Sequence, residues 1–229
     1  ESVSEGEHYE LLVRMRDDDG GLIPPGLFLP AAERYNLIGH IDRWMVRHVF
    51  DAFVEKNAQL DALHTCSINL SGHSVSSESF HQFIVDEFKR SGVPPAKIVF
   101  EATETAAITH LTRATEFMTA LREIGCRFSL GDFVSGLSSF ESLKTLPVDY
   151  VKIDGMFVRD ILDDPIDYSM VRCINEIGHV MGKRTVAEFV ENDEIRAAVR
   201  ELGVDYAQGY GIGRPRSFPA RQALLRRVS

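Results

Sequence analysis

Lys97-Ile98-Val99-Phe100-Glu101-Ala102, then a helical pattern over residues 111–124, then Arg127-Phe128-Ser129-Leu130: this passage decides the fold. The two short runs are rich in Val, Ile and Phe, as strands buried on both faces must be. The stretch between them carries the apolar spacing of a helix. The alternation extends both ways. Strand-like runs recur at residues 9–15, 66–70, 150–153, 185–190 and 206–208, and helical patterns at 41–56, 79–91, 168–181 and 194–202. Strands alternating with helices build βαβ units on a parallel sheet. At this pace over 229 residues, the pattern predicts an α/β barrel rather than an open sheet. No low-complexity linker divides the chain, so residues 1–229 are expected to form one domain.

Composition narrows the function. With 25 Lys and Arg against 34 Asp and Glu, the net charge is −9, which excludes a general nucleic-acid binder. No apolar run approaches the ~20 residues of a membrane span, and no basic-plus-apolar leader opens the chain. Cys66, Cys126 and Cys173 are widely spaced and match no zinc pattern. They suit a reducing compartment, and a cytoplasmic protein is the expectation.

The strand ends carry the chemistry. Nearly every expected strand finishes on a polar or acidic residue: Asn69, Glu101, Asp132, Asp154, Glu188 and Gln208. In a barrel these ends converge on one mouth. Acids gathered there repel one another unless cations or protons lie between them. Oxygen donors of this kind suit Mg²⁺ or Mn²⁺. Helix capping explains single acids, but not Asn or Gln inside apolar strands. A metal-holding carboxylate ring is the chemistry of phosphoester hydrolysis. Lys152, on the strand face of Asp154, is placed to neutralise phosphate charge. Glu10, Leu12 and Arg14 alternate, so one strand face is expected to present all three, with Arg14 toward a phosphate.

These residues resemble a known family. Glu10-Leu11-Leu12-Val13-Arg14 is similar to the Glu-Ala-Leu-x-Arg opening of EAL domains, which bind or hydrolyse cyclic di-GMP. The likeness continues in order through Phe28-Leu29-Pro30, Ile41-Asp42-Arg43-Trp44, Ile68-Asn69-Leu70-Ser71 and Phe100-Glu101-Ala102-Thr103-Glu104. Asp132-Phe133-Val134-Ser135-Gly136, Val151-Lys152-Ile153-Asp154, Ala187-Glu188-Phe189-Val190-Glu191 and Gln208-Gly209-Tyr210 complete it. The resemblance implies a TIM-like barrel with one antiparallel strand. It also implies a helix and strand ahead of the Glu10 strand, which this sequence lacks, so the ring is expected to be one stave short. It makes Glu10, Asn69, Glu101 and Asp132 metal ligands for Mg²⁺ or Mn²⁺, and gives Lys152 and Glu188 catalytic roles if the domain is active. Leu12, Val13, Arg14, Asp42, Glu188, Phe189 and Gln208 would contact cyclic di-GMP, and cleavage would give pGpG.

The likeness breaks at the loop after residue 130. Active members carry Asp-Asp-Phe-Gly there, and this chain has Gly131-Asp132-Phe133-Val134. The missing first aspartate is the one that bridges two metals in active members, and glycine offers no side-chain oxygen. Val134 replaces a glycine in a loop that, in the family this sequence resembles, moves and supports dimers. Phe189 replaces another glycine, either to stack on a guanine or to pack at the rim. These breaks resemble the degenerate EAL receptors of the FimX type. They imply a cyclic di-GMP receptor without hydrolysis or a need for metal, acting on type IV pili and twitching motility through a PilZ-type partner and flanking domains. The alternative is a metal-dependent phosphodiesterase.

Other features read as structural. Trp44 is expected in the barrel-wall core with Met45 and Phe50, Asp17-Asp18-Asp19-Gly20 as an exposed turn, and Gly209, Gly211 and Gly213 as no phosphate loop.

Overall fold

The apolar runs become the staves of a closed barrel. The computed structural model describes residues 7–55, 63–133, 140–218 and 225–227, with backbone alone for 7, 140–142 and 225–227. The strands are β1 (Glu7–Leu11), β2 (Met15–Arg16), β3 (Leu22–Ile23), β4 (Leu63–Asn69), β5 (Ile98–Thr103), β6 (Arg127–Phe133), β7 (Tyr150–Ile153), β8 (Arg184–Ala187), β9 (Tyr206–Gln208) and β10 (Leu225–Arg227). The ring runs β1-β10-β9-β8-β7-β6-β5-β4, and β2 pairs with β3 as a separate antiparallel ribbon. Neighbouring staves are parallel except around β10, which is antiparallel to both β1 and β9. The expected vacancy is therefore filled. Two facing strand edges with unpaired backbone groups can accept any extended segment, and Leu225–Arg227 supplies it.

The helices α1 (Pro25–Arg34), α2 (Ile38–Glu55), α3 (Gly72–Val75), α4 (Glu78–Ser91), α5 (Glu104–Thr109), α6 (Leu111–Glu123), α7 (Phe140–Thr145), α8 (Gly155–Arg159), α9 (Pro165–Val180) and α10 (Asp193–Glu201) connect and cover the staves. Local chemistry starts and stops them. On α4, the Ser77 side chain accepts from the Phe80 amide and Gly92, at φ 70°, ends the helix. The core lies between helices and barrel, where Phe50, Phe80, Phe100, Phe128 and Leu130 are fully buried. The three cysteines are free, with Cys66 and Cys126 buried. No described helix is long and apolar enough to cross a membrane.

Two expectations are corrected here. Strand β1 ends at Leu11, not at residue 15, because β2 begins the separate ribbon at Met15. The two-residue alternation therefore does not carry Arg14 onto the face of Glu10. Trp44 is 54% exposed and stacks on His48 with ring centroids 4.8 Å apart. Val46, Val49, Phe50 and Phe53 make up the buried stripe of α2, and Trp44 falls outside it. The exposed turn is as expected: Asp17 Oδ1 accepts from the Asp19 and Gly21 amides, and Gly20 sits at φ 83°.

Candidate functional site

Seven staves repeat one two-residue step. Residues two apart on a strand point the same way. His8, Ser67, Val99, Ser129, Tyr150, Val186 and Tyr206 line a small cavity inside the barrel. Two residues on stand Glu10, Asn69, Glu101, Gly131, Lys152, Glu188 and Gln208. The first six of these line a cavity of about 390 Å³ at the C-terminal mouth, together with Leu12, Val13, Arg14, Asp42 and Asp132. At this step β6 presents only a hydrogen, because its residue is Gly131.

Lys152 is the centre of the site. Its Nζ lies 2.5 Å from Glu101 Oε1, 2.6 Å from Glu188 Oε1 and 3.1 Å from Glu10 Oε2. Glu10 is held further by Asn69 Nδ2, which donates to Oε1 at 2.8 Å, and by Gln208 Nε2, which donates to Oε2 at 2.5 Å. Burial favours the neutral form of every acid here. At Glu10 the Lys152 ammonium and the amide donors outweigh burial, and its carboxyl falls below the usual range. Burial, with the charges of Glu10 and Glu188 added, pushes the Glu101 carboxyl up to about 8. Burial also raises Glu188. The three acids in turn hold the Lys152 ammonium well above its ordinary value, against the effect of burial. One cation shared by three carboxylates explains why one acid is pushed toward its neutral form.

Carboxylate oxygens of Glu10, Glu101 and Glu188 lie within 4.8 Å of one another, a donor set that fits a hard divalent cation. Asp132 lines the cavity but stands outside that cluster, at φ 52°, where β6 departs from its register with β7. Its carboxyl is raised by burial and by Asp154. Asp154 caps α8, its Oδ1 accepting from the Met156 amide at 2.8 Å.

The remaining expected contacts scatter around the mouth. Arg14 is exposed, its Nη1 donating to the Val13 carbonyl at 2.8 Å, and its side chain lines the cavity. Asp42 is buried, and its Oδ2 accepts from the Ser71 amide at 3.0 Å and from Ser71 Oγ at 2.6 Å. Phe189 does not line the cavity. It is 47% exposed, its ring lies against Gly155, and Arg159 stacks on it 4.9 Å from the centroid. Its φ of 54° is a left-handed conformation that a glycine adopts freely and that costs an ordinary residue about 1–2 kcal/mol. Val134 lies outside the described residues. Gly209 and Gly211 serve close packing, since a Cβ on either would fall within 3.0 Å of the 190–192 backbone. Sequence reading missed Ser71 as the partner of Asp42, and its helix-capping position was the available signal.

Comparison with known proteins places this chain in a family. The EAL domain profile matches residues 2–215. Cyclic di-GMP phosphodiesterase PdeB of Shewanella oneidensis is 42% identical over 93% of this chain and 25% of its own length. Cyclic di-GMP phosphodiesterase PdeF of Escherichia coli is 37% identical over 91% of this chain and 28% of its own. The chain thus spans about a quarter of these relatives. The FimX EAL domain of Pseudomonas aeruginosa, solved with cyclic di-GMP, superposes with a TM-score of 0.85 at 28% identity, covering 93% of this chain and 85% of that one. The FimX EAL domain shares the fold, while the two named phosphodiesterases share more of the sequence. The chain belongs to the EAL domain family.

Proposed function

We propose that this chain binds cyclic di-GMP at the C-terminal mouth and acts as a receptor that releases little or no pGpG. Gly131 carries the reading. It occupies the inward position of β6 beside Glu101, where the cluster gains no oxygen. Lys152 already supplies a positive charge to all three glutamates, so the pocket keeps its shape without metal. Binding is therefore expected to survive chelation. Arg14, Asp42, Leu12 and Val13 would hold the dinucleotide along the mouth, with Glu188 and the neighbourhood of Gln208 at its far side. The FimX-type likeness extends the proposal to type IV pilus control through a PilZ-type partner, checked by co-purification of the two proteins with and without cyclic di-GMP.

A second reading is a metal-dependent phosphodiesterase, favoured by the three-carboxylate cluster and by the named activities of PdeB and PdeF. Glu10, Asn69, Glu101 and Glu188, with Asp132 beside them, would hold Mg²⁺ or Mn²⁺. A bound ion would polarise the phosphate and lower the pKa of water. Lys152 would offset charge on the phosphate. Incubating the chain with cyclic di-GMP and excess Mn²⁺, followed by chromatography, separates the readings. Intact dinucleotide recovered with the protein supports the receptor. Metal-dependent pGpG that disappears in Glu10→Ala establishes the enzyme.

A further inference from the structure

Beside the acidic mouth, and sharing residues 10–14 with it, lies a second cavity of about 390 Å³. It opens between β1, the β2–β3 ribbon, α2 and residues 215–218. Two kinds of group meet there. Arg14, Arg16 and Arg216 bring three guanidiniums, while Leu22, Trp44 and Met45 bring apolar surface. Leu22 and Trp44 are exposed, so folding has left large apolar side chains in water around a concave face. Phe218 closes one side and is itself anchored edge-on to the buried Phe53, with ring centroids 5.8 Å apart. Trp44 is fixed from behind. His48, four residues on along α2, stacks on the indole at an interplanar angle of 9°. With one face backed by His48, the exposure of Trp44 belongs to the other face and the edges. Neutral groups orient two of the cations. Arg14 Nη1 donates to the Val13 carbonyl at 2.8 Å, and Arg16 Nη1 to the Gly20 carbonyl at 3.5 Å. A carbonyl directs a guanidinium without cancelling its charge, and five N–H donors are there to share. Glu10 is the one acid among the lining residues, and Lys152, Asn69 and Gln208 already bond it.

We infer that this cavity is a second binding site, distinct from the carboxylate mouth, that takes a purine nucleotide. The base stacks on Trp44, and the phosphate meets Arg16 and Arg216. An aromatic side chain stacks on any base, and a bicyclic one covers most of an indole. Forked guanidiniums match phosphate oxygens two at a time. A cavity of this size and shape suits a small molecule rather than a flat protein face.

Trp44 is the only tryptophan of the chain, so its fluorescence reports on the site directly. The test titrates the 229-residue chain with AMP in EDTA, exciting the indole beyond the purine absorption band. AMP carries no guanine and EDTA keeps metal from the mouth, so failure here leaves the cyclic di-GMP reading standing. The expected result is saturable quenching that weakens with added salt. Adenosine, which lacks the phosphate, should bind about 10-fold more weakly or worse. Arg216→Gln should weaken AMP about 10-fold, as the loss of one charge-assisted hydrogen bond does. Trp44→Leu, followed by calorimetry, should weaken it about 10- to 100-fold, and Trp44→Phe should keep most of the affinity. Arg14 lines both cavities and is therefore not varied. Trp44 and Arg216 are exposed, and circular dichroism with melting checks the fold of each variant. No saturable quenching by AMP overturns the inference. So does adenosine that binds as tightly as AMP. Binding that folded Arg216→Gln and Trp44→Leu leave unchanged also overturns it, because the nucleotide would then sit elsewhere.

Discussion

Returning an aspartate to position 131 should make the mouth both less stable and more active. A Cβ there would meet Glu101 Oε1 at 3.4 Å and the Ala102 carbonyl at 3.8 Å, ordinary contact distances. Gly131 is not among the residues with a left-handed backbone, so Gly131→Asp strains nothing locally. Its charge is the perturbation. Glu10, Glu101 and Glu188 already share Lys152, and a fourth carboxylate has no new cation. Two unit charges ~4 Å apart interact by about 4 kcal/mol at an effective dielectric near 20. Water at the open mouth reduces this, and we expect a loss of about 1–3 kcal/mol in EDTA. For a chain of this size that lowers the Tm by about 3–9 °C. Mn²⁺ should return the loss, since a ligand at 100 times its Kd stabilises by about 2.7 kcal/mol. Hydrolysis should rise at least 10- to 100-fold, more than outer ligand partners are worth. Melting in EDTA and in Mn²⁺, with pGpG measured by chromatography, tests each part. Equal Tm values for variant and parent in both buffers, with no gain in pGpG, would refute the reasoning.

Arg14→Ala should weaken cyclic di-GMP binding by about 10- to 100-fold with little change in Tm, because the side chain is exposed and charge-assisted bonds are worth about 1.5–3 kcal/mol; equilibrium dialysis and melting check it. Lys152→Met leaves three buried carboxylates without their cation and should cost about 3–5 kcal/mol in urea unfolding. Metal-free stability should fall with pH. Glu101 is raised to about 8 in the fold against ~4.3 unfolded, so the folded chain binds the extra proton between those values. The contribution is present at the acid end, declines as pH rises toward 8 and is gone above it. Glu101→Gln should flatten that slope in urea titrations from pH 5 to 9.

Much of this was legible in the sequence because the barrel alternates strictly. Val99 and Glu101, Tyr150 and Lys152, and Tyr206 and Gln208 are pairs two residues apart, so a polar residue closing an apolar run had to point into the barrel near its mouth. Gly131 was legible against the Asp-Asp-Phe-Gly pattern of the family, and the fold makes it a missing side chain in a regular row. What escaped detection lacks a period. The β2–β3 ribbon has two residues in each strand, too few to show alternation, and it ends β1 before Arg14. Helix α1 begins on Pro25 and contains Pro30, a composition that hides a helix. The left-handed backbone of Asp132 and Phe189 follows from tertiary register, which no local pattern encodes. Trp44 sat in an apolar neighbourhood and still faces out, because a one-residue step on a helix turns a side chain by ~100°.

The bond from Gln208 to Glu10 joins residues 198 positions apart. Glu10 reaches the cluster through the pairing of β1 with β4, and the bond that completes the set forms only when the two flanks of the ring meet across β10. A half-folded chain that has built β4 through β8 possesses Glu101, Lys152 and Glu188, yet has no Glu10 to complete the set. Occupancy of the mouth is therefore a clasp on the whole ring: anything gripping both flanks must leave before the seam opens, so ligand should slow global unfolding rather than quiet one loop.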